Sequence, residues 1–93
     1  MPKLKEIGLL VENVNARDYI PQAQAAERLG FNAFWVPEDY AFPGAFCSAA
    51  AIAAVTSKIK IGTGVINPFT RHPVLIAMEL AALDQLSGGR AIL

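Results

Sequence analysis

The chain has 93 residues, which is enough for one small domain, and with 54% hydrophobic and 17% charged residues it is too apolar for a disordered segment. Eight Lys and Arg residues balance eight Asp and Glu residues, so bulk charge attracts neither nucleic acid nor an anionic membrane. The apolar runs are shorter than the roughly 20 residues of a membrane-spanning helix. The basic first residues have no apolar signal core behind them and a single cysteine fits a reducing compartment, so we expect a cytoplasmic protein.

Apolar runs and helical periods alternate along the chain. A continuous apolar run predicts a buried strand over 5–11, and apolar residues at helical spacing predict a helix over 16–29. In that helix Pro21 fits only within the first turn, and Gly30 supplies a left-handed stop. The pattern then repeats, as strand 32–36, helix 45–56, strand 58–65, helix 73–86 and the opening of a fourth strand at 91–93.

This order of strands and helices predicts an α/β fold. Each helix has the length that a crossover between parallel strands requires, so the four strands are expected to form one parallel sheet. An open doubly wound sheet and a closed barrel share this pattern, and periodicity does not choose between them.

The second and third helices are apolar on all sides. After its first residue the third helix has three polar side chains, Glu79, Asp84 and Gln85, and the second is rich in alanine. An outer helix normally presents a polar face to water, so both helices are expected to be covered. We predict a homodimer through helices 45–56 and 73–86, with further segments of the same chain as the alternative cover.

Ligands bind at the carboxyl ends of parallel strands, and that rule selects the loops 12–15, 37–46 and 67–72. In the second loop, Glu38 and Asp39 could position a substrate or relay a proton. The alternative is that one carboxylate is solvated while the other stabilises a cap or a turn.

The third loop ends in a cation and the single histidine. Arg71 could hold an anionic group, or it could pair with a carboxylate such as Glu79. His72 could be a pocket donor or the neighbour of a helix N-cap.

The glycine pair in the third strand, Gly62-Thr63-Gly64, matches a dinucleotide fingerprint poorly, because the third glycine is missing. The glycines allow close packing within the sheet or the approach of a planar ring. One histidine and one cysteine give no metal-ligand spacing, so no metal is expected, and Cys47 is interpreted as an inert core residue.

Three segments, AERLGFNAFWVPED, TSKIKIGTGVINPFTRHP and MELAALDQLSGGR, resemble the luciferase-like monooxygenase superfamily, in particular its members that depend on coenzyme F420. The resemblance implies a (β/α)₈ barrel, of which residues 1–93 would form the first three βα units and the start of strand four. It further implies an oxidoreductase or monooxygenase that acts on a small-molecule substrate and binds coenzyme F420, or alternatively reduced FMN, at the carboxyl-end mouth.

The same resemblance implies the residues of the site. The cofactor ring would rest against a non-proline cis peptide at Gly64–Val65, with Thr63, Gly64, Val65 and Asn67 as the cofactor-binding residues. The catalytic positions would be Glu38 and Asp39, although Asp39 stands where the family often has a histidine. The substrate pocket would be shaped by Phe69, Arg71 and His72. Family dimers pack through helices two and three, in agreement with the interface inferred from polarity.

A complete barrel typically needs about 250 residues, so the isolated chain is expected to be inactive. The alternative from another functional class is a non-catalytic product that binds itself or a full-length partner through helices two and three. A flavodoxin-like domain is a weaker possibility, because its phosphate loop would follow the first strand, where the segment 12–15 has no glycine.

Overall fold

The computed structural model describes residues 7–66 and 71–92, which form a parallel sheet with helices on one side. The strands are β1 (Gly8–Leu10), β2 (Ala33–Val36), β3 (Lys60–Thr63) and β4 (Ala91–Ile92). The helices between them are α1 (Tyr19–Arg28), α2 (Ala45–Val55) and α3 (Pro73–Ser87), and a single 3₁₀ turn, Ala16–Asp18, leads into α1. The prediction of an α/β fold is confirmed.

The order of the strands decides between the two architectures that the sequence pattern left open. All pairs are parallel, and the order in the sheet is β1-β2-β3-β4. A doubly wound sheet reverses direction and places its first strand in the interior, whereas a barrel adds each strand beside the previous one. The described sheet has the order of a barrel wall.

The strands are shorter than their apolar runs, because ladder hydrogen bonds end before the apolar residues do. The third run, 58–65, contributes Lys60–Thr63 to the ladder, and its first residues bind a helix side chain instead. The first run contributes Gly8–Leu10. Positions 5, 6 and 93 of the predicted strands lie outside the described residues.

Prolines and glycines mark the helix ends, and Pro21 and Gly30 take the positions expected of them, although residues 16–18 of the predicted first helix form a 3₁₀ turn. Pro21 lies in the first turn of α1, and Gly30 adopts a φ of 89° just beyond its end. Proline occupies the first position of α3, and Gly88 ends that helix with a φ of 67°. Both glycines occupy the left-handed region, where other residues are sterically disfavoured.

The core lies between the sheet and the helices. Phe34, Val36 and Ile61 are fully buried on this side of the sheet. Tyr19 of α1 packs edge to face against Phe34, with 6.1 Å between the ring centroids. The alanines of α2 allow that helix to lie close to the sheet, but Cys47 points away and is exposed, so the interpretation of this residue as part of the core is wrong.

One face of α3 packs on the core through Leu83, while the opposite face is apolar and exposed. Val74 and Met78 on that face are each more than half exposed. Large apolar side chains clustered on one exposed face are typical of surfaces that pack against another element or subunit. Within residues 7–66 and 71–92, no helix has the length and hydropathy to cross a membrane.

Candidate functional site

The loop that follows β2 closes into a tight turn at the carboxyl end of the sheet. The Phe42 N–H donates to the Asp39 carbonyl at 3.2 Å, and Ala41, the third residue of this turn, has a φ of 67°. A positive φ at this position is a feature of type II turns and is uncommon for residues other than glycine. Beside the turn lies an open cavity of about 490 Å³, lined by Glu38, Asp39, Tyr40, Phe42, Arg71 and Leu75.

A two-pronged ion pair joins the loop after β2 to the loop after β3. The Arg71 Nε donates to both Glu38 carboxylate oxygens, at 3.1 and 2.9 Å, and its Nη2 donates to Oε1 at 2.5 Å. Only 28% of the Arg71 side chain and 15% of the Glu38 side chain are exposed. The Arg71 guanidinium also lies 5.3 Å from the centre of the Phe46 ring, so its orientation is fixed on two sides.

This pair sets the charge of both residues. Hydrogen bonds from Arg71 lower the pKa of Glu38 against the opposing effect of burial, and the positive charge of Arg71 adds to the lowering. The pKa of Arg71 is raised, chiefly by its bond to Glu38, with a smaller contribution from the charge of Glu79. Glu38, rather than Glu79, is therefore the partner of Arg71, and at neutral pH Glu38 is ionised.

A second carboxylate contact lies across the ends of β1 and β2. A hydrogen bond with Asp39 raises the pKa of Glu12, and desolvation and the like charge of Asp39 act in the same direction. Both side chains are exposed. The two predicted carboxylates thus differ in environment, since Glu38 is paired with a cation whereas Asp39 is exposed and lies beside the carboxylate of Glu12.

The end of β3 presents its backbone to the mouth. Thr63 is 4% exposed and its side chain shares the buried face with Ile61, so any contact with a ligand at the mouth falls to its backbone. Among the described residues, its hydroxyl has no hydrogen-bond partner. The peptide bond between Gly64 and Val65 is cis, as the resemblance implied, and Val65 is 77% exposed.

The other predicted site residues have separate outcomes. His72 is the N-cap of α3, where its Nδ1 accepts a hydrogen bond from the Val74 N–H at 3.1 Å. Asn67 and Phe69 lie outside the described residues. No group of three or more histidine, cysteine, aspartate and glutamate side chains is placed to hold a metal ion in residues 7–66 and 71–92.

Sequence reasoning did not single out the Glu12 side chain. Its loop was selected, because that loop follows the first strand, but no feature of the loop distinguished the carboxylate from its neighbours. The available signal was positional: Glu12 and Asp39 follow adjacent parallel strands, whose carboxyl ends meet at one edge of the sheet.

Comparisons with known proteins agree with this architecture. The sequence model of a family described as luciferase-like monooxygenase matches residues 5–93. A 5,10-methylenetetrahydromethanopterin reductase from Methanopyrus kandleri is 45% identical over 73 residues, covering 75% of this chain and 20% of the relative. An F420-dependent glucose-6-phosphate dehydrogenase from Amycolatopsis mediterranei is 33% identical over 91 residues, covering 88% of this chain and 27% of that protein.

A solved structure shares the fold of the described residues. The coenzyme F420-dependent tetrahydromethanopterin reductase from Methanopyrus kandleri superposes with a TM-score of 0.83 at 38% identity, covering 94% of this chain and 25% of that one. The chain therefore spans about a fifth to a quarter of the length of these two reductase relatives. Together with the strand order, this likeness confirms the prediction of three βα units and the start of strand four of a (β/α)₈ barrel.

Proposed function

The chain belongs to the luciferase-like monooxygenase family, and from this premise we propose that it contributes the binding mouth of an F420-dependent oxidoreductase in the cytoplasm. Two relatives depend on F420, which favours this cofactor over reduced FMN, the alternative. The exposed free thiol of Cys47 favours a reducing compartment. When bound, the deazaflavin or flavin supplies the hydride chemistry.

The observation that carries the proposal is the arrangement of the loops after β2 and β3. The Glu38–Arg71 pair ties these loops together beside an open cavity of about 490 Å³. At the end of β3, Val65 is 77% exposed, so a planar ring can approach the backbone of this segment. The residues present thus fit a flat cofactor, with Gly64, Val65 and Asn67 as the proposed holders of its ring.

We assign different roles to the two neighbouring carboxylates. Glu38 is ionised and bound to Arg71, so its proposed role is to fix the shape of the mouth. Asp39 is exposed at the cavity and lies within hydrogen-bonding reach of Glu12, which makes this pair the proposed site for holding and moving a proton. The substrate is proposed to enter over Asp39, with Phe69, Arg71 and His72 at the pocket rim.

Substitutions that remove one charge from each carboxylate should separate these roles. In the whole gene product, with 5,10-methylenetetrahydromethanopterin and F420 as the probe pair, Asp39→Asn is expected to lower kcat roughly 10²-fold, as loss of general acid–base catalysis does. The melting temperature should change little, because Asp39 is exposed. Glu38→Gln should instead lower the melting temperature, because it leaves Arg71 unpaired. Equal effects of both variants on kcat and on melting would contradict the division of roles.

The choice of cofactor is tested by competition. We expect the whole gene product to bind oxidised F420 at least about tenfold more tightly than FMN in parallel titrations. Val65→Glu should weaken the binding of either ring, because it places a charge on the proposed contact. Leu29→Glu is the matched control, since Leu29 is also 77% exposed but lies at the far end of α1. Tighter binding of FMN would overturn the F420 assignment, and binding of neither would overturn the proposed function.

We also propose a homodimer through α2 and α3, because the exposed face of α3 bears large apolar side chains. Met78→Glu is expected to shift the population from dimer to monomer in light scattering after gel filtration, whereas Leu29→Glu, which replaces an exposed leucine at the end of α1, should not. A monomeric native protein whose Met78→Glu variant unfolds would mean that another segment of the same chain covers this face. A dimer without bound flavin would favour the non-catalytic, self-associating alternative.

A further inference from the structure

Trp35 lies on the face of the sheet that is opposite the helices. Its neighbours Phe34 and Val36 are fully buried in the core, while Trp35, one residue out of phase, is half-buried on the other face. In the sheet, Trp35 pairs with Leu10 on one side and Gly62 on the other. The inner face of a barrel wall is therefore occupied at this level by one large aromatic ring.

The indole extends across three strands through space that glycines leave open. A Cβ placed on Gly8 would lie 2.9 Å from the Trp35 Nε1, so the five-membered ring covers β1. A Cβ on Gly62 would overlap the Trp35 Cε3 and Cζ3 and would lie 2.9 Å from the Ile92 Cγ1. Neither position can carry a side chain while the ring keeps this place.

The same ring reaches the end of β3. A Cβ on Gly64 would lie 3.5 Å from the Trp35 Cε3, which is ordinary van der Waals contact. From the side, the Gly64 N–H donates to the Val36 carbonyl at 3.0 Å, and Val36 directly follows Trp35 in the chain. The backbone at Gly64 is thus held by β2 through one hydrogen bond and by the edge of the indole.

We propose that Trp35 is a positioning residue, whose six-membered ring supports the backbone at Gly64 from inside the sheet and so fixes the place of the exposed Gly64–Val65 segment. The ring spans from Gly8 to Gly64, so a change in its size alters the support of β3 without replacing any residue of the loops after β2 and β3. The consequence for cofactor binding rests on the proposed function, whereas the support of Gly64 does not.

Amide hydrogen exchange in the whole gene product tests the support directly. The Gly64 amide is the reporter, and the Ile61 amide is the internal control, because it lies three residues earlier, within β3, and donates to the Arg90 carbonyl at 2.9 Å. Trp35→Leu is expected to raise the exchange rate of Gly64 relative to Ile61 about tenfold, because local opening of the backbone at Gly64 costs less free energy without the ring. Trp35→Phe keeps an aromatic ring of smaller reach and should give an intermediate ratio; if Trp35→Leu does not fold, this variant provides the test.

A compensating pair of substitutions adds a readout that general destabilisation would not produce. Gly62→Ala alone should raise the Gly64 exchange ratio, because the new methyl group displaces the ring. In the Trp35→Leu background, the same alanine should have little further effect, since the overlap no longer exists. Coupling of this kind is expected only for residues in direct contact.

The outcomes separate the inference from the proposed function. An unchanged ratio of Gly64 to Ile61 exchange in both Trp35 variants would overturn the positioning role, whether or not the protein binds a cofactor. A changed ratio of Gly64 to Ile61 exchange, together with F420 binding that is about tenfold weaker, would support both the positioning role of Trp35 and its consequence for cofactor binding. An altered ratio in a protein that binds neither F420 nor FMN would support the positioning role and refute the proposed function.

Discussion

Replacement of Arg90 by methionine is expected to destabilise the fold by roughly 3 kcal/mol, because several backbone carbonyls lose hydrogen bonds from a charged donor. The Arg90 side chain donates five hydrogen bonds. Its Nε donates to the Ser87 carbonyl at 2.6 Å, and its Nη2 donates to the Ala53 carbonyl at 3.1 Å and the Thr56 carbonyl at 3.0 Å. Arg90 therefore caps the end of α2 and fastens it to the last residue of α3.

The effect should depend on the guanidinium fork as well as on the charge. The Nη1 donates to the Thr56 hydroxyl at 2.8 Å and to the Ile59 carbonyl at 3.0 Å, directions that a single ammonium cannot reproduce. Arg90→Lys should consequently recover only part of the loss. The measurement is the free energy of unfolding in urea, with Arg28→Met as the matched control, because Arg28 is exposed on α1. A similar loss in both methionine variants would show that the network contributes little.

Loss of Glu27 should produce the second large effect, and this effect depends on pH. The Glu27 Oε2 accepts hydrogen bonds from the N–H groups of Ser57, Lys58 and Ile59, at 2.9, 2.7 and 3.0 Å. Desolvation raises the pKa of Glu27, but these three bonds and the charge of Arg90 outweigh it, so the pKa is lowered overall. We expect Glu27→Ala to cost about 2 kcal/mol near neutral pH, because three N–H groups lose a charged acceptor and two of them can turn to water.

The sign of the pH dependence follows from the direction of the shift. The folded-state pKa of Glu27 lies below its unfolded value, which is near 4.5. Its contribution is therefore fully present above the unfolded pKa and is lost as the pH falls through the folded pKa. Unfolding of the native protein, Glu27→Gln and Glu27→Ala, measured at neutral pH and at several pH values below about 4.5, checks this sign. Variants that lose stability on acidification as steeply as the native protein would contradict it.

The order of strands and helices could be predicted because it rests on local properties. Runs of apolar residues, the first-turn position of Pro21 and the left-handed stop at Gly30 each depend on a few neighbouring residues. The choice of a barrel wall over a doubly wound sheet required the pairing of the strands, which periodicity does not contain. The strand ends also required the structure, since ladder bonding stops within the apolar runs.

The candidate site was predictable in place but not in detail. The strand-end rule selected Glu38, Asp39 and Arg71, but not the pair between Glu38 and Arg71, because 33 residues separate them in the chain. The sequence placed His72 beside a helix N-cap or in a pocket, and its position as the N-cap itself depends on the backbone at the start of α3. Trp35 reads as one more apolar residue of a buried strand. Its contacts across the sheet depend on Gly8 and Gly62, which lie on two other strands and leave space for the indole ring.

The network of Glu27 and Arg90 lies before β3 and β4, at the opposite end of the sheet from the mouth. In evolutionary terms, this separation allows the two ends to change independently. A lineage can exchange the residues around Asp39 and Arg71 to suit a new ligand while Glu27 and Arg90 keep the helices and strands assembled. A substitution at Glu27 or Arg90 would lower the stability of every such descendant, whichever ligand its mouth binds.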